Sequence, residues 1–128
     1  AMVWALSRGA AGKPGSLFCA PGNAGTAGLA RNLPLDPKDA RAVVAACREL
    51  GIGLVVVGPE EPLAAGLVDA LAAAGIPAFG PGAAAARLEA SKAFAADFAQ
   101  AAGVPRARTA RFARGDLAGL GRFLEESR

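Results

Sequence analysis

The run GLVVVG at residues 53–58 constrains the fold more than any other stretch of this chain. Three β-branched valines between glycines make a short strand with no polar face, the pattern of a strand covered on both sides in a parallel sheet. Parallel neighbours need a crossover of about a dozen residues, usually a helix. Such patterns flank the run on both sides. Asp36-Pro37 reads as an N-cap followed by proline at the first helical position, and Ala40, Val43, Val44, Cys47 and Leu50 then repeat at helical spacing up to Gly51, a C-terminal stop. Pro62 to Ala74 reads as a second helix, ended by Gly75, and SLFCA (16–20) and IPAFG (76–80) as two more short strands. The expected fold class is α/β, with a mostly parallel, Rossmann-like sheet between layers of helices.

AMVWALSRG reads as the end of a helix, and no internal segment supplies the strand that should precede it. The sheet is therefore expected to lack its first strand, the chain being truncated at its front. A helix over about 83–102 carries Phe94 and Phe98 on one face and is closed by Gly103-Val104-Pro105. ARTARFA (107–113) reads as a strand, and DLAGLGRFLEESR as a helix with a Leu117, Leu120, Leu124 stripe. This tail looks like the opening of another domain, cut short at Arg128.

Bulk properties exclude several function classes. A chain of 128 residues suits one compact domain and part of a second. Its net charge of +3 comes from scattered arginines rather than a basic stripe, a poor footprint for nucleic acid. No apolar run approaches the ~20 residues of a membrane span, and no basic region precedes the N-terminal apolar residues as in a secretory signal. A cytoplasmic setting is expected. The absence of histidine removes a Ser-His-Asp triad, a histidine-based metal site and a histidine base. Cys19 and Cys47 lack the clustered spacing of a zinc site and are read as small core residues.

Ligands of open α/β sheets lie outside the carboxyl ends of the strands. Three such ends occur here: APGNAGT (20–26), GPEEP (58–62) and GPG (80–82). The first offers backbone N–H donors with Asn23 and Thr26 and no acidic residue, which suits a phosphate or sugar phosphate; taken alone, the commoner reading is a turn rich in Gly and Asn because the backbone needs positive φ. Glu60 and Glu61 have two readings as well: complementing a helix dipole, or accepting hydrogen bonds from a ligand hydroxyl or amine. Lys92, in a helix, reads as a surface charge, and Arg106, Arg108, Arg111 and Arg114 as a solvated face.

Taken in order, APGNAGT, VVVGPEEPLAAGLVDAL and FGPGAAAARLEASKAFAADF with GVPRA after it closely resemble the N-terminal domain of the phosphoribosylamine–glycine ligase (glycinamide ribonucleotide synthetase) family, from about Ala1 to Phe112. The resemblance implies a pre-ATP-grasp substrate-binding domain over 1–89 and the start of an ATP-grasp domain over 90–128. It implies an ATP- and magnesium-dependent ligase of purine biosynthesis that joins glycine to 5-phosphoribosylamine through a glycyl phosphate. Pro21, Gly22, Asn23, Ala24, Gly25 and Thr26 match the family's loop near the ribose phosphate. Gly58, Pro59 and Glu60 match a second loop, with Glu60 rather than Glu61 facing substrate. Lys92, after Ser91, matches a position that reaches ATP phosphates. The resemblance assigns no catalytic residue or metal ligand to this stretch.

The departures are substantial. Family members begin with a strand and a Gly-Gly-Arg-Glu-His loop, and after the third strand they carry Gly-Pro-Thr-Lys where this chain has Gly80, Pro81, Gly82 and Ala83. The main ATP-grasp lobes lie beyond Arg128, so the 128-residue piece is not expected to catalyse ligation alone. Two other functions compete: a stand-alone module that captures a sugar phosphate or nucleotide, and a related ATP-grasp enzyme such as a biotin-dependent carboxylase.

Overall fold

A computed structural model describes residues 2–9 and 15–127. The chain divides into two compact units, Ala1–Ala90 and Ser91–Arg128. In the first, helix α1 (Met2–Ser7) precedes strand β1 (Phe18–Cys19), the one-turn helix α2 (Ala24–Ala27) and strand β2 (Arg31–Asn32). Helix α3 (Ala40–Glu49), strand β3 (Val55–Val56), helices α4 (Glu60–Ala64) and α5 (Leu67–Ala73), strand β4 (Ala78–Phe79) and helix α6 (Ala83–Ala90) follow. The second unit holds α7 (Lys92–Ala101) and α8 (Leu117–Glu125).

The class is mixed α/β, and the strands are parallel. They form two pairs, β1 with β2 (Phe18 opposite Arg31) and β3 with β4 (Val55 opposite Ala78). Helices α4 and α5 form the crossover from β3 to its parallel partner β4, the one-turn α2 joins β1 to β2, and α3 connects the two pairs, which are separate two-stranded sheets rather than one.

Packing follows the helical period. Val43 and Cys47 on α3, and Leu67 and Leu71 on α5, are i, i+4 pairs on one face, and they form a core with Val57, Leu63, Ile76 and Ala86. Leu71 is 0% exposed, the most deeply buried of these. Gly51 and Gly75 end their helices as expected, each at positive φ (63° and 73°). In both caps the residue after the glycine donates back into the last turn, Ile52 N–H to the Cys47 carbonyl and Ile76 N–H to the Leu71 carbonyl, each at 2.9 Å. Ile76 is thereby delivered into the core. Cys47 is buried, which pushes its thiol pKa up, whereas Cys19 is only half-buried.

Four expectations need correction. The helix after Pro37 starts at Ala40 with Asp39 as its N-cap, Asp39 Oδ1 accepting from the N–H groups of Arg41 and Ala42, while Asp36 instead accepts from Lys38 N–H. The helix expected over Pro62–Ala74 is two helices, because Gly66 takes a left-handed φ of 87°, and Glu60, not Pro62, is its first residue. The helix over 83–102 also breaks: Ser91 is extended and its Oγ accepts from Phe94 N–H at 3.2 Å, making it the N-cap of α7. Residues 107–113 are not a strand. Among the described residues of the second unit there is no strand for it to pair with, and the arginines of this segment bond to helices instead. Arg108 pairs with Glu126 at 2.6 Å and lies over the Phe123 ring, and Arg111 pairs with Asp97 and donates to the Ala93 carbonyl.

The hydrogen bond from Arg111 holds the Asp97 carboxyl below the usual carboxylate range. A folded pKa depressed in this way contributes stability above the unfolded value and loses it as pH falls through the folded one. Both side chains are more than half exposed, so the contribution is small and screened by salt. Arg111→Gln should therefore lower the thermal midpoint slightly at neutral pH and low salt, with the difference closing on acidification below the carboxylate range or in 1 M salt. An equal loss at all pH values would assign the arginine's role to its carbonyl bond or its packing.

Candidate functional site

The loop after β1 is organised by its own side chains. Gly22 has φ of 78° and turns the chain into α2. Asn23 caps that turn: its Oδ1 accepts from Thr26 N–H at 3.1 Å, and Asn23 N–H donates to Thr26 Oγ1 at 2.8 Å. Asn32, at the end of β2, closes the arrangement. Its Nδ2 donates to the Asn23 carbonyl at 2.9 Å and its Oδ1 accepts from the Thr26 hydroxyl at 2.8 Å. The Thr26 hydroxyl has one proton, which the Asn23 carbonyl at 2.9 Å and Asn32 Oδ1 at 2.8 Å share as acceptors. Asn23 Oδ1, the Thr26 hydroxyl and the Thr26 N–H are thus spent on holding the loop, leaving the N–H groups of Ala24 and Gly25 as backbone donors at the start of α2. Asn32 was not legible in the sequence, where nothing marks one asparagine among polar loop residues.

The loop after β3 follows at the carboxyl end of a parallel strand, as the first does. Pro59 precedes α4 without a side-chain cap, and Glu60 and Glu61 occupy its first turn, where carboxylates complement the helix dipole. Glu61 forms a surface ion pair with Lys38 at 3.4 Å; among the described residues Glu60 forms none. Ala20 and Pro21 from the first loop and Gly58 and Pro59 from the second border one cavity. The structure so brings together two of the three strand-end loops expected to meet a ligand. Lys92 belongs to the other unit, exposed at the first position of α7.

The third loop has a purpose the sequence did not show. Asp69, on α5, accepts the Ala83 N–H at 2.8 Å and so caps α6 from fourteen residues away. A Cβ at Gly82 would lie 2.6 Å from Asp69 Oδ1, so the carboxylate occupies the space a side chain at 82 would need. Gly82→Thr should destabilise the chain by about 1–2 kcal/mol, the cost of losing a cap. The pair Gly82→Thr with Asp69→Ala should cost less than the sum of the singles, since the carboxylate that clashes is the one already removed. Additive losses in denaturant melts would contradict the contact.

Among the described residues no group of three or more His, Cys, Asp or Glu side chains could hold a metal ion. These residues do not fit a magnesium site.

Comparison with known proteins decides the family. The family described as Phosphoribosylglycinamide synthetase, N domain, matches residues 1–89. The chain belongs to this family. Phosphoribosylamine–glycine ligase of Streptomyces coelicolor is 57% identical over 94 residues, covering 73% of this chain and 23% of that protein. The enzyme of the same name from Xylella fastidiosa is 46% identical over 112 residues, 86% of this chain and 26% of its own length. The trifunctional purine biosynthetic protein adenosine-3 of Gallus gallus is 48% identical over 110 residues, 84% and 11% respectively. The chain therefore spans about a quarter or less of the length of these relatives. As a phosphoribosylglycinamide synthetase N domain, it places both glycine-rich loops of the sequence resemblance inside the matched region, and Lys92 just beyond it.

Proposed function

We propose that this chain is the substrate-binding part of a ligase that joins glycine to 5-phosphoribosylamine in purine biosynthesis, and that its two bordering loops hold the sugar phosphate. The observation that carries this reading is the convergence of Pro21 with Gly58 and Pro59 at the carboxyl ends of parallel strands. The loop over Pro21, Gly22, Asn23, Ala24, Gly25 and Thr26 presents N–H groups to the phosphate, held in shape by Asn32. Glu60 accepts from the ribose hydroxyls. The engagement of Glu61 with Lys38 supports this choice between the two carboxylates.

Residues 1–89 are read as a Rossmann-like, three-layer substrate domain and 90–128 as the beginning of an ATP-grasp domain in a cytoplasmic enzyme. Lys92 at the first turn of α7 adds a cation beside N–H groups of the helix start, an arrangement suited to ATP phosphates. In the complete reaction glycine's carboxylate is activated as an acyl phosphate and attacked by the amine of phosphoribosylamine. This chain's part in that is positioning. No helix of the described residues is long and apolar enough to cross a membrane.

Titration with ribose 5-phosphate tests the assignment of the carboxylates. Glu60→Gln should weaken binding about tenfold, roughly 1.4 kcal/mol, as expected for one charge-assisted hydrogen bond. Glu61→Gln should leave it nearly unchanged. The reverse order, or binding of bicarbonate in preference to ribose 5-phosphate, would overturn the reading.

A further inference from the structure

Gly58 joins the second loop to the strand before it, and its two neighbours in the chain are fixed. Val57 is buried and donates its N–H to the Phe79 carbonyl at 3.0 Å, which ties it to β4. Pro59, with a ring-locked φ of −71°, immediately precedes α4, whose Pro62 and Leu63 are buried. Gly58 between them is exposed and has no side chain to pack, so nothing of its own fixes its backbone angles. It is the soft point of the segment that aims Glu60.

A side chain from another element covers it. Met2, at the start of α1, lays its thioether against Gly58: a Cβ at residue 58 would fall on the Met2 methyl and lie 3.0 Å from its sulfur. The methyl thus occupies the space that a side chain at 58 would need. Helix α1 is placed for this contact by Val3 and Leu6, which with Met2 border the same cavity as Gly58 and Pro59. Leu6 lies one turn beyond Met2, at i, i+4, so the two share a face. Methionine suits the position, because an unbranched thioether with three rotatable bonds follows an irregular backbone closely. Met2 is 48% exposed, so the contact adds little to the core. What it restrains is the turn at Gly58.

We propose that Met2 is a positioning residue for the second loop: its methyl stands in for the missing side chain at residue 58, holds the Gly58 backbone, and through Pro59 sets the direction of the Glu60 carboxylate. For what Glu60 binds, the inference rests on the sugar-phosphate reading above; for where Glu60 points, it rests on the contact alone. Met2 touches no ligand in this account. Its effect on recognition passes entirely through the loop.

Titration of the 128-residue chain with ribose 5-phosphate, in a cycle of Met2→Ala and Glu60→Gln, tests the proposal. Met2→Ala should weaken binding about fivefold by loosening a preorganised loop, with little change in thermal midpoint because the side chain is half exposed. Met2→Leu keeps an apolar side chain of similar volume over Gly58 and should recover most of the affinity. The decisive reading is the coupling. Glu60→Gln should cost about tenfold in the parent chain but only about twofold in Met2→Ala, whose carboxylate is no longer aimed. A residue that merely supports the fold would leave the two losses to multiply. Before any ligand is added, Met2→Ala should also shift the Gly58 and Glu60 amide resonances and leave in place that of Thr26, which Asn23 holds. Independent losses, an unmoved Glu60 amide, or Met2→Leu no better than Met2→Ala would overturn the proposal. A parent chain that does not bind ribose 5-phosphate would sink the ligand reading, and the Glu60 amide would then decide: displaced in Met2→Ala and restored in Met2→Leu, it upholds the positioning role; unmoved, it overturns it.

Discussion

Leu71→Ala is expected to remove a large share of the chain's stability. Leu71 is fully buried among side chains from α3, α4, β3 and α6, and its carbonyl also accepts the N–H of Ile76, which delivers that isoleucine into the same core. Truncation leaves a cavity in a core of few residues that has little freedom to collapse, and such substitutions cost about 2–5 kcal/mol. Domains have only about 5–15 kcal/mol in total, and none of the residues from Ser91 onward that the structure describes is buried. The urea midpoint of the variant should fall sharply, with residues 2–90 affected first. Leu88→Ala, at an exposed position, should change it little. Equal midpoints for Leu71→Ala and the parent chain would show that the core lies elsewhere.

Gly22→Val should abolish recognition by the first loop while leaving that core intact. Two effects add. A β-branched residue is strained at φ of 78°, and its Cβ would run into the side chain of Asn32. Asn32 would have to give up its bonds to Asn23 and Thr26, and with them the shape of the first turn of α2. The expected result is loss of measurable ribose 5-phosphate binding with a change in urea midpoint smaller than that of Leu71→Ala. Gly28→Ala is the control: Gly28 has φ of −80° and nothing within 4 Å of a Cβ, so binding should persist. Retained binding in the valine variant would mean the loop does not hold the ligand.

What could be read from the sequence was set by the range of the interaction responsible. The valine run, the periodic faces of α3 and α5 and the glycine stops at 51 and 75 act within one or two turns, and the elements they predict are present. The breaks at Gly66 and Ser91 were hidden because alanine-rich sequence continues the helical pattern through them. β2 was missed because Arg31 and Asn32 have no apolar signature; their strand is specified by pairing with β1. The same holds for the site. Its glycine-rich loops were legible from composition and order, but Asn32 and Asp69 act across nine and fourteen residues through hydrogen bonds that no spacing rule reveals. The strand expected over 107–113 failed for the converse reason, since alternation alone does not make a strand without a neighbour.

The central claim is that the loops over 21–26 and 58–60 together hold the sugar phosphate of 5-phosphoribosylamine, and amide-resolved NMR titration of the chain with ribose 5-phosphate tests it most directly. The account predicts saturable shifts at Gly22, Ala24, Gly25 and Thr26 together with Gly58 and Glu60, all following one binding curve. Shifts confined to one loop, or saturable binding that leaves both loops unmoved, would contradict it.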